Sequence, residues 1–347
     1  MKKKMMVFLG IFFLTLAVGY GQAAPAEKVY NLKFSYHTPP KASMVGAYFN
    51  PWTAAIEQAS DGRIKITHYA GESLVKAKDQ YDAVISGLCD IAFVDPSETP
   101  GRFSQLEFDT LPYIFPNAEI GVQVYWDILQ KYSANTELKD VKVLGAATIA
   151  PSNYAGNKPV QKITDFKGMR VRAAGRTESW IVEALQASPI EIATSDLGTS
   201  LERGLVDSCF LTWSAILSFG VKDVTKYDVE CNIFSRTWMI VMNKRVWDSL
   251  PPDLQKVFMD QSGPKNSAKY SAANEKMGAG AKNAIIGSNK AAGKPPVLVL
   301  SPDEAAAWKT TLLPVWDKWA EEIEAKKLPG KAIITDIKAL VQKYSGK

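Results

Sequence analysis

The sequence predicts an α/β fold of two interleaved lobes, with a cleft between them and a long helix late in the chain. Three observations point there. Short apolar strands alternate with helices along most of the chain, no linker or internal repeat divides it, and its 347 residues exceed what one tidy core accommodates.

Read in order, Val29 to Tyr36 alternates like a strand and stops at the Pro39-Pro40 turn. A helix follows with Phe49, Trp52, Ala55 and Ile56 on one face and an Asp61-Gly62 stop, then Arg63 to Tyr69 alternates again. Leu74 to Ser86 reads as a helix ended by Gly87, and Cys89 to Val94 as a buried strand of the parallel kind. The alternation continues through strands at Val143-Leu144-Gly145 and Met169 to Arg172, a helix from Glu178 to Gln186, and strands at Pro189 to Ile192 and Trp238 to Asn243. Parallel sheets covered by helices are the expectation. Leu250-Pro251-Pro252 signals a helix start. Beyond it, residues 253–290 read equally as one long helix or as two joined near Gly263-Pro264. Trp308, Leu312, Leu313, Trp316 and Trp319 form a stripe at helical spacing, read as core.

The N-terminus opens with Lys2, Lys3 and Lys4 and an apolar run from Met5 to Val18, followed by small residues at Gly21, Ala23, Ala24 and Ala26. This is the pattern of a secretory signal peptide, residues 1–26, too short for a spanning helix. Its removal leaves about 320 residues and lowers the net charge from +5 to +2, which argues against a nucleic-acid partner. An exported protein of the bacterial periplasm is expected. Cys89, Cys209 and Cys231 show no CxxC spacing, and His37 and His68 stand apart without an HExxH pattern, so neither metal nor cofactor is expected. A Cys209–Cys231 bridge is open in an oxidising compartment, though buried free thiols are preferred.

Four stretches together resemble the DctP-type solute receptors of tripartite ATP-independent periplasmic (TRAP) transporters. They are Glu57 to Ile66 with the Gly87 to Ala92 turn, Leu111-Pro112-Tyr113-Ile114-Phe115, Lys158-Pro159-Val160 with Thr164 to Arg172, and Leu201-Glu202-Arg203-Gly204-Leu205-Val206-Asp207. The resemblance implies the two-lobe periplasmic binding-protein fold with a ligand cleft. Lobe I would hold residues 27–150 and 237–277, lobe II residues 151–236 and 278–347. It implies a monomeric, non-enzymatic receptor that presents a small-molecule carboxylate to a small and a large membrane subunit.

Relatives most often hold the acid with the last arginine of a Lys-Gly-x-x-x-Arg run, here Arg172, the alternative being that it closes an internal ion pair or lies on a solvated strand edge. A guanidinium fork pairs both oxygens of a carboxylate, which a lysine does not. Arg170 shares its strand face and reads as a surface residue or one that supports the contact from behind, and Arg176 is a weaker candidate. Some relatives carry a second arginine where Ser152 stands beside Asn153, so a second clamp is expected to be absent. His37, after the first strand, reads either as a ligand contact or as a satisfied structural histidine; Asp95 as an acceptor or a helix cap; Thr194 more as a cap than a contact. Where many relatives have Gly-x-x-Asn this chain reads Ser208 to Trp213, an apolar and aromatic stretch that includes Thr212; Trp213 and Trp238, which follow or open predicted strands, are candidate walls for an apolar or aromatic body, core packing being the alternative for both tryptophans. Two other functions compete. A hydrolase or lyase lacks a recognisable nucleophile and base, and a sensory receptor would differ only in its membrane partner.

Overall fold

The computed structural model describes residues 28–99, 101–134 and 136–346. The predicted signal peptide lies outside the described residues. In chain order the strands are β1 Tyr30–Ser35, β2 Ile64–Tyr69, β3 Ile91–Val94, β4 Val141–Thr148, β5 Asn153–Gly156 and β6 Arg170–Ala173. They continue with β7 Ser188–Glu191, β8 Ser208–Leu211, β9 Tyr227–Glu230, β10 Thr237–Asn243 and β11 Leu298–Val299. One lobe holds a sheet in the order β2-β1-β3-β10-β4, the other a sheet in the order β11-β9-β5-β8-β6-β7.

Local sequence explains the early elements. Leu32 and Phe34 of β1 are buried, and Phe34 meets Trp52 of helix Asn50–Ala59 edge-on at 5.7 Å. That helix carries Pro51 in its first turn, and Asp61 and Gly62 stop it by entering the left-handed region (φ 51° and 76°). The next helix is shorter than the sequence suggests, covering Gln80–Ser86. Glu72 (φ 62°) turns the chain, and its carboxylate accepts from the Ala77 N–H (2.9 Å) and Lys76 Nζ (2.8 Å), which holds residues 72–77 as a loop. Gly87 (φ 84°) caps the helix and releases the chain into β3, all four residues of which are buried.

The sheets are mixed, not parallel. β10 runs antiparallel to β3 and β4, and β5 antiparallel to β8 and β9. The cause is the path of the chain, which passes between lobes at residues 149–152 and 231–236. A strand arriving from the other lobe enters its sheet from the opposite end. The two crossing segments are paired by Ile149 N–H to Arg236 O (2.8 Å), Ser152 N–H to Phe234 O (2.7 Å) and Ile233 N–H to Ser152 O (3.0 Å).

The late helical stretch is two helices, Pro252–Asp260 and Gly263–Ala291, parted at Gly263, whose φ of 72° favours glycine. The second, about 43 Å long at 1.5 Å per residue, is tied to both lobes. Ser267 Oγ accepts from Ala146 N–H (3.1 Å), Asn274 Oδ1 from Ala150 N–H (2.9 Å), and Asn289 Nδ2 donates to Asp228 Oδ2 (2.8 Å). Its polar composition follows from being held by hydrogen bonds more than by an apolar stripe. The tryptophan stripe divides at Pro314 into helices Pro302–Leu312 and Val315–Ala325. Trp308 is buried against Phe166 (5.2 Å) and Trp319 lies 6.5 Å from Phe108, whereas Leu313 is exposed.

Cys89, Cys209 and Cys231 are buried free thiols. Cys209 lies on β8 and Cys231 just beyond β9, with β5 between those strands. Two strand spacings, roughly 9 Å, exceed the reach of a disulfide. No helix among the described residues is long and apolar enough to cross a membrane.

Burial pushes the Glu137 carboxyl, in the loop before β4, up to about 7 despite hydrogen bonds from Gln105 N–H and Ser133 Oγ (3.3 Å each). The folded state therefore holds this proton more tightly than the unfolded chain. The stability it confers is full below the ordinary carboxyl value of 4.5 and is lost as pH rises toward about 7. Glu137→Gln is expected to remove on the order of 2 kcal/mol of that loss, seen as urea midpoints at pH 5 and pH 8 that lie closer together than in the parent. An unchanged gap would exclude Glu137 as its source.

Candidate functional site

A compact cavity of about 90 Å³ opens between the two sheets. The first lobe supplies His37 and Met44 from the loop and turn after β1, Phe93 and Asp95 from the end of β3, and Trp238 from β10. The second supplies Thr194, Leu211, Thr212, Ala215 and Phe219. Ile149, Ser152 and Arg236 come from the crossing segments, Asn274 and Met277 from the long helix. Asp95 and Thr212 stand at the carboxyl ends of β3 and β8, where α/β sheets collect ligands.

Six of the sequence candidates line this cavity: His37, Asp95, Ser152, Thr194, Thr212 and Trp238. His37 is buried beside Phe93 (ring centroids 5.1 Å), and its Nδ1 has no hydrogen-bond partner. Asp95 Oδ1 accepts from Ser97 N–H (3.0 Å) and Ser97 Oγ (2.7 Å), capping the turn Pro96–Glu98. Thr212 Oγ1 caps helix Trp213–Ser218 by accepting from Ala215 N–H (3.1 Å). Thr194 caps no helix; its hydroxyl accepts from Arg172 Nη2 (2.8 Å) and donates to Glu98 Oε1. Trp238 lies 5.1 Å from Phe93 and stacks at 5.2 Å on Tyr48, with its Nε1 unpartnered.

Asn153 and Trp213 stand outside the cavity wall. The Asn153 side chain is spent on the crossing, its Oδ1 accepting from Cys231 and Asn232 N–H (3.0 and 3.1 Å) and its Nδ2 donating to Pro151 O (3.1 Å). Trp213 opens the helix behind Thr212 and packs with Leu197, Leu201 and Ile216.

Arg172, on β6, is fully buried one residue behind the wall. Its Nε donates to Ile192 O (2.8 Å), its Nη2 to Thr194 Oγ1 and Glu98 Oε1 (3.2 Å), and its Nη1 lies 3.8 Å from Glu178 Oε2 without a hydrogen-bond partner. Glu98 follows β3 and Arg172 sits in the other sheet, so this ion pair joins the two lobes. Arg170 is exposed and pairs with Asp207 (3.0 Å), which precedes β8; Arg176 pairs on the surface with Glu322.

Four residues that sequence reading did not single out complete the site. Arg236 lines the cavity, with Nη1 3.9 Å from both Asp95 Oδ2 and Glu98 Oε1 and Nη2 in contact with Glu178 Oε1. Glu178 Oε2 also accepts from Ala174 N–H (2.9 Å), and Asp109 accepts from Thr237 N–H. The one sequence signal for Arg236 was a charge directly before the apolar β10; nothing local marked Glu98, Glu178 or Asp109.

The electrostatics are balanced rather than basic. Burial works to raise the Glu98 carboxyl, but the fields of Arg172, His37 and Arg236 outweigh it and hold it below its usual value. Asp95 is raised, by burial first and by neighbouring Glu98, against the pull of Arg236. Burial, with the field of Asp95 beside it, pushes the Asp109 carboxyl well above its ordinary value. Two guanidiniums thus face four buried carboxyls, two of them biased toward the neutral form.

The family described as bacterial extracellular solute-binding protein, family 7 (DctP) matches residues 34–322. A TRAP solute-binding protein from Rhodoferax ferrireducens T118, solved with copurified benzoate, superposes with a TM-score of 0.87 at 25% identity, covering 92% of this chain and 99% of that one. A marine metagenome TRAP solute-binding protein specific for aromatic acid ligands, solved with 3-hydroxybenzoate, gives a TM-score of 0.85 at 25% identity over 91% and 99% of the two chains. The C4-dicarboxylate-binding periplasmic protein DctP of Rhodobacter capsulatus is 25% identical over 324 residues, 90% of this chain and 92% of the relative. With a match over most of its length and a cavity enclosed between two α/β lobes, this chain belongs to the DctP family, the periplasmic solute receptors of TRAP transporters.

Proposed function

We propose that this protein captures a monocarboxylic acid with an aromatic or otherwise compact apolar body and presents it, as a monomer and without chemical change, to the small and large membrane subunits of a TRAP transporter. One observation carries the reading. The cavity is walled by Phe93, Trp238, Leu211, Phe219 and Met277, and its charged groups gather in one corner, where Arg236, Thr194, Asp95 and His37 surround Glu98 with Arg172 behind them. The acid group belongs in that corner, in the field of Arg172, whose contacts to Glu98 across the lobes hold the cleft shut. The body belongs against the rings.

The charge balance favours a monoacid. Two guanidiniums already shared among buried carboxyls leave no free cation for a second carboxylate, which would face Asp95 and Glu98. The relatives solved with benzoate and with 3-hydroxybenzoate support the same class. A thermal-shift panel of organic acids tests the proposal. A ligand present at about a hundred times its Kd adds about 2.7 kcal/mol to the stability of a folded receptor. Single-ring monocarboxylates are expected to raise the melting temperature by several degrees, with succinate and neutral amides leaving it in place. A panel in which no carboxylate raises it would sink the proposal.

A further inference from the structure

We infer that Arg236 is the residue in direct contact with the carboxylate of the bound acid, and that it sets the preference for an acid over its neutral analogue. This inference rests on the carboxylate-receptor reading above, and it assigns a contact for which Arg172 alone is not placed.

Three observations converge on Arg236. Of the two buried guanidiniums, it alone forms part of the cavity wall; Arg172 is wholly enclosed, with Thr194 between its Nη2 and the cavity. The Arg236 Nε is buried and has no hydrogen-bond partner, a donor left without the acceptor that burial demands. Its Nη1 is 3.9 Å from both Asp95 and Glu98, too far for a hydrogen bond, and its Nη2 touches Glu178 Oε1 as an ion contact without a hydrogen bond. A carboxylate set against the Nε and Nη1 side of the guanidinium would fill both vacancies.

The location suits the task as well. Arg236 lies on the segment that crosses between lobes, its own carbonyl accepting from Ile149 N–H across the paired crossing. Its ion contacts reach Asp95 and Glu98 after β3 and Glu178 in helix Arg176–Ala184 of the second lobe. The guanidinium is thereby oriented from both sides of the cleft before a ligand arrives, which lowers the ordering cost of binding. Arg172 acts through Thr194 and Glu98: it keeps Glu98 ionised and turned away from the incoming acid, and so adds positive field to the corner.

The test uses the mature full chain and titration calorimetry, with benzoate as probe, or the panel acid giving the largest thermal shift, against its amide. Arg236→Lys keeps the charge that pairs with Glu178 but loses the fork. It is expected to melt near the parent temperature and to bind the acid at least thirtyfold more weakly, with the acid-over-amide preference reduced to a similar degree. Because a lysine can still unsettle Glu178, the double variant Arg236→Gln, Glu178→Gln removes both partners together; it too is expected to fold and to lose the acid preference. Either folded variant binding the acid within threefold of the parent, with the preference intact, overturns the assignment. If that happens while the parent binds acids, the receptor reading stands and only the role of Arg236 falls. A parent that binds no acid of the panel overturns both.

Discussion

Arg172→Ala is expected to abolish useful capture of the acid, weakening binding by two to three orders of magnitude, and to lower stability at the same time. The reason is the buried network. Arg172 pairs with Glu98 at 3.2 Å and stands 3.8 Å from Glu178, both nearly wholly enclosed. Deleting one partner of such a network leaves uncompensated charge, at a cost of about 3–5 kcal/mol. Glu98, freed of its strongest cation, would take up a proton or turn toward Arg236 and occupy the place of the ligand. Arg172→Lys separates the two effects. The lysine retains a charge near Glu98, so most stability returns, but it offers Ile192 O and Thr194 Oγ1 no planar fork. Binding is then expected to recover only in part. Calorimetric Kd values beside melting curves for both variants check this, and an alanine variant that binds the acid as tightly as the parent would remove Arg172 from the site.

Trp238→Ala is expected to erase selectivity for ring-bearing acids. Trp238 closes one wall of the cavity between Phe93 and Tyr48, and its loss opens that wall and an adjoining space lined by Tyr48 and Tyr270. Losing a stacked indole removes about 2–3 kcal/mol of contact with an aromatic body, some 30- to 160-fold in Kd, whereas acetate, too small to reach the wall, changes little. The ratio of benzoate to acetate affinity is the informative quantity, since the variant also loses core packing and melts lower. A ratio equal to that of the parent would mean that the indole is core and not wall.

Much of the architecture was legible because its signals are local. β1, β3 and β10 announce themselves as alternating or continuously apolar runs, and the stops at Asp61-Gly62 and Gly87 need left-handed backbone. What was not legible is the direction of the crossing strands, which depends on how the chain returns between lobes. The short β5 and β9 escaped notice for a related reason: four residues each, they gain their burial from neighbours in the sheet. In the site, the run ending at Arg172 could be marked by its resemblance to a family pattern. Its partner Glu98 is 74 positions away and Glu178 lies on another element, so no spacing rule connects them. Trp213 and Trp238 looked equivalent in sequence, one just after a strand and one opening a strand. The difference is geometric: Thr212 caps the helix that begins at Trp213, and the turn carries that indole into the core. The second clamp expected to be missing at Ser152 shows the same limit, since Arg236 reaches the cavity from the segment paired with it.

The most direct measurement is calorimetric titration of the purified mature chain with three matched probes: benzoate, benzamide and succinate. A receptor that holds one carboxylate in an arginine-lined corner and an apolar body against Trp238 and Phe93 binds benzoate at least a hundredfold more tightly than either of the others. Benzamide bound as tightly as benzoate, or succinate bound in preference to it, would contradict that description of the site.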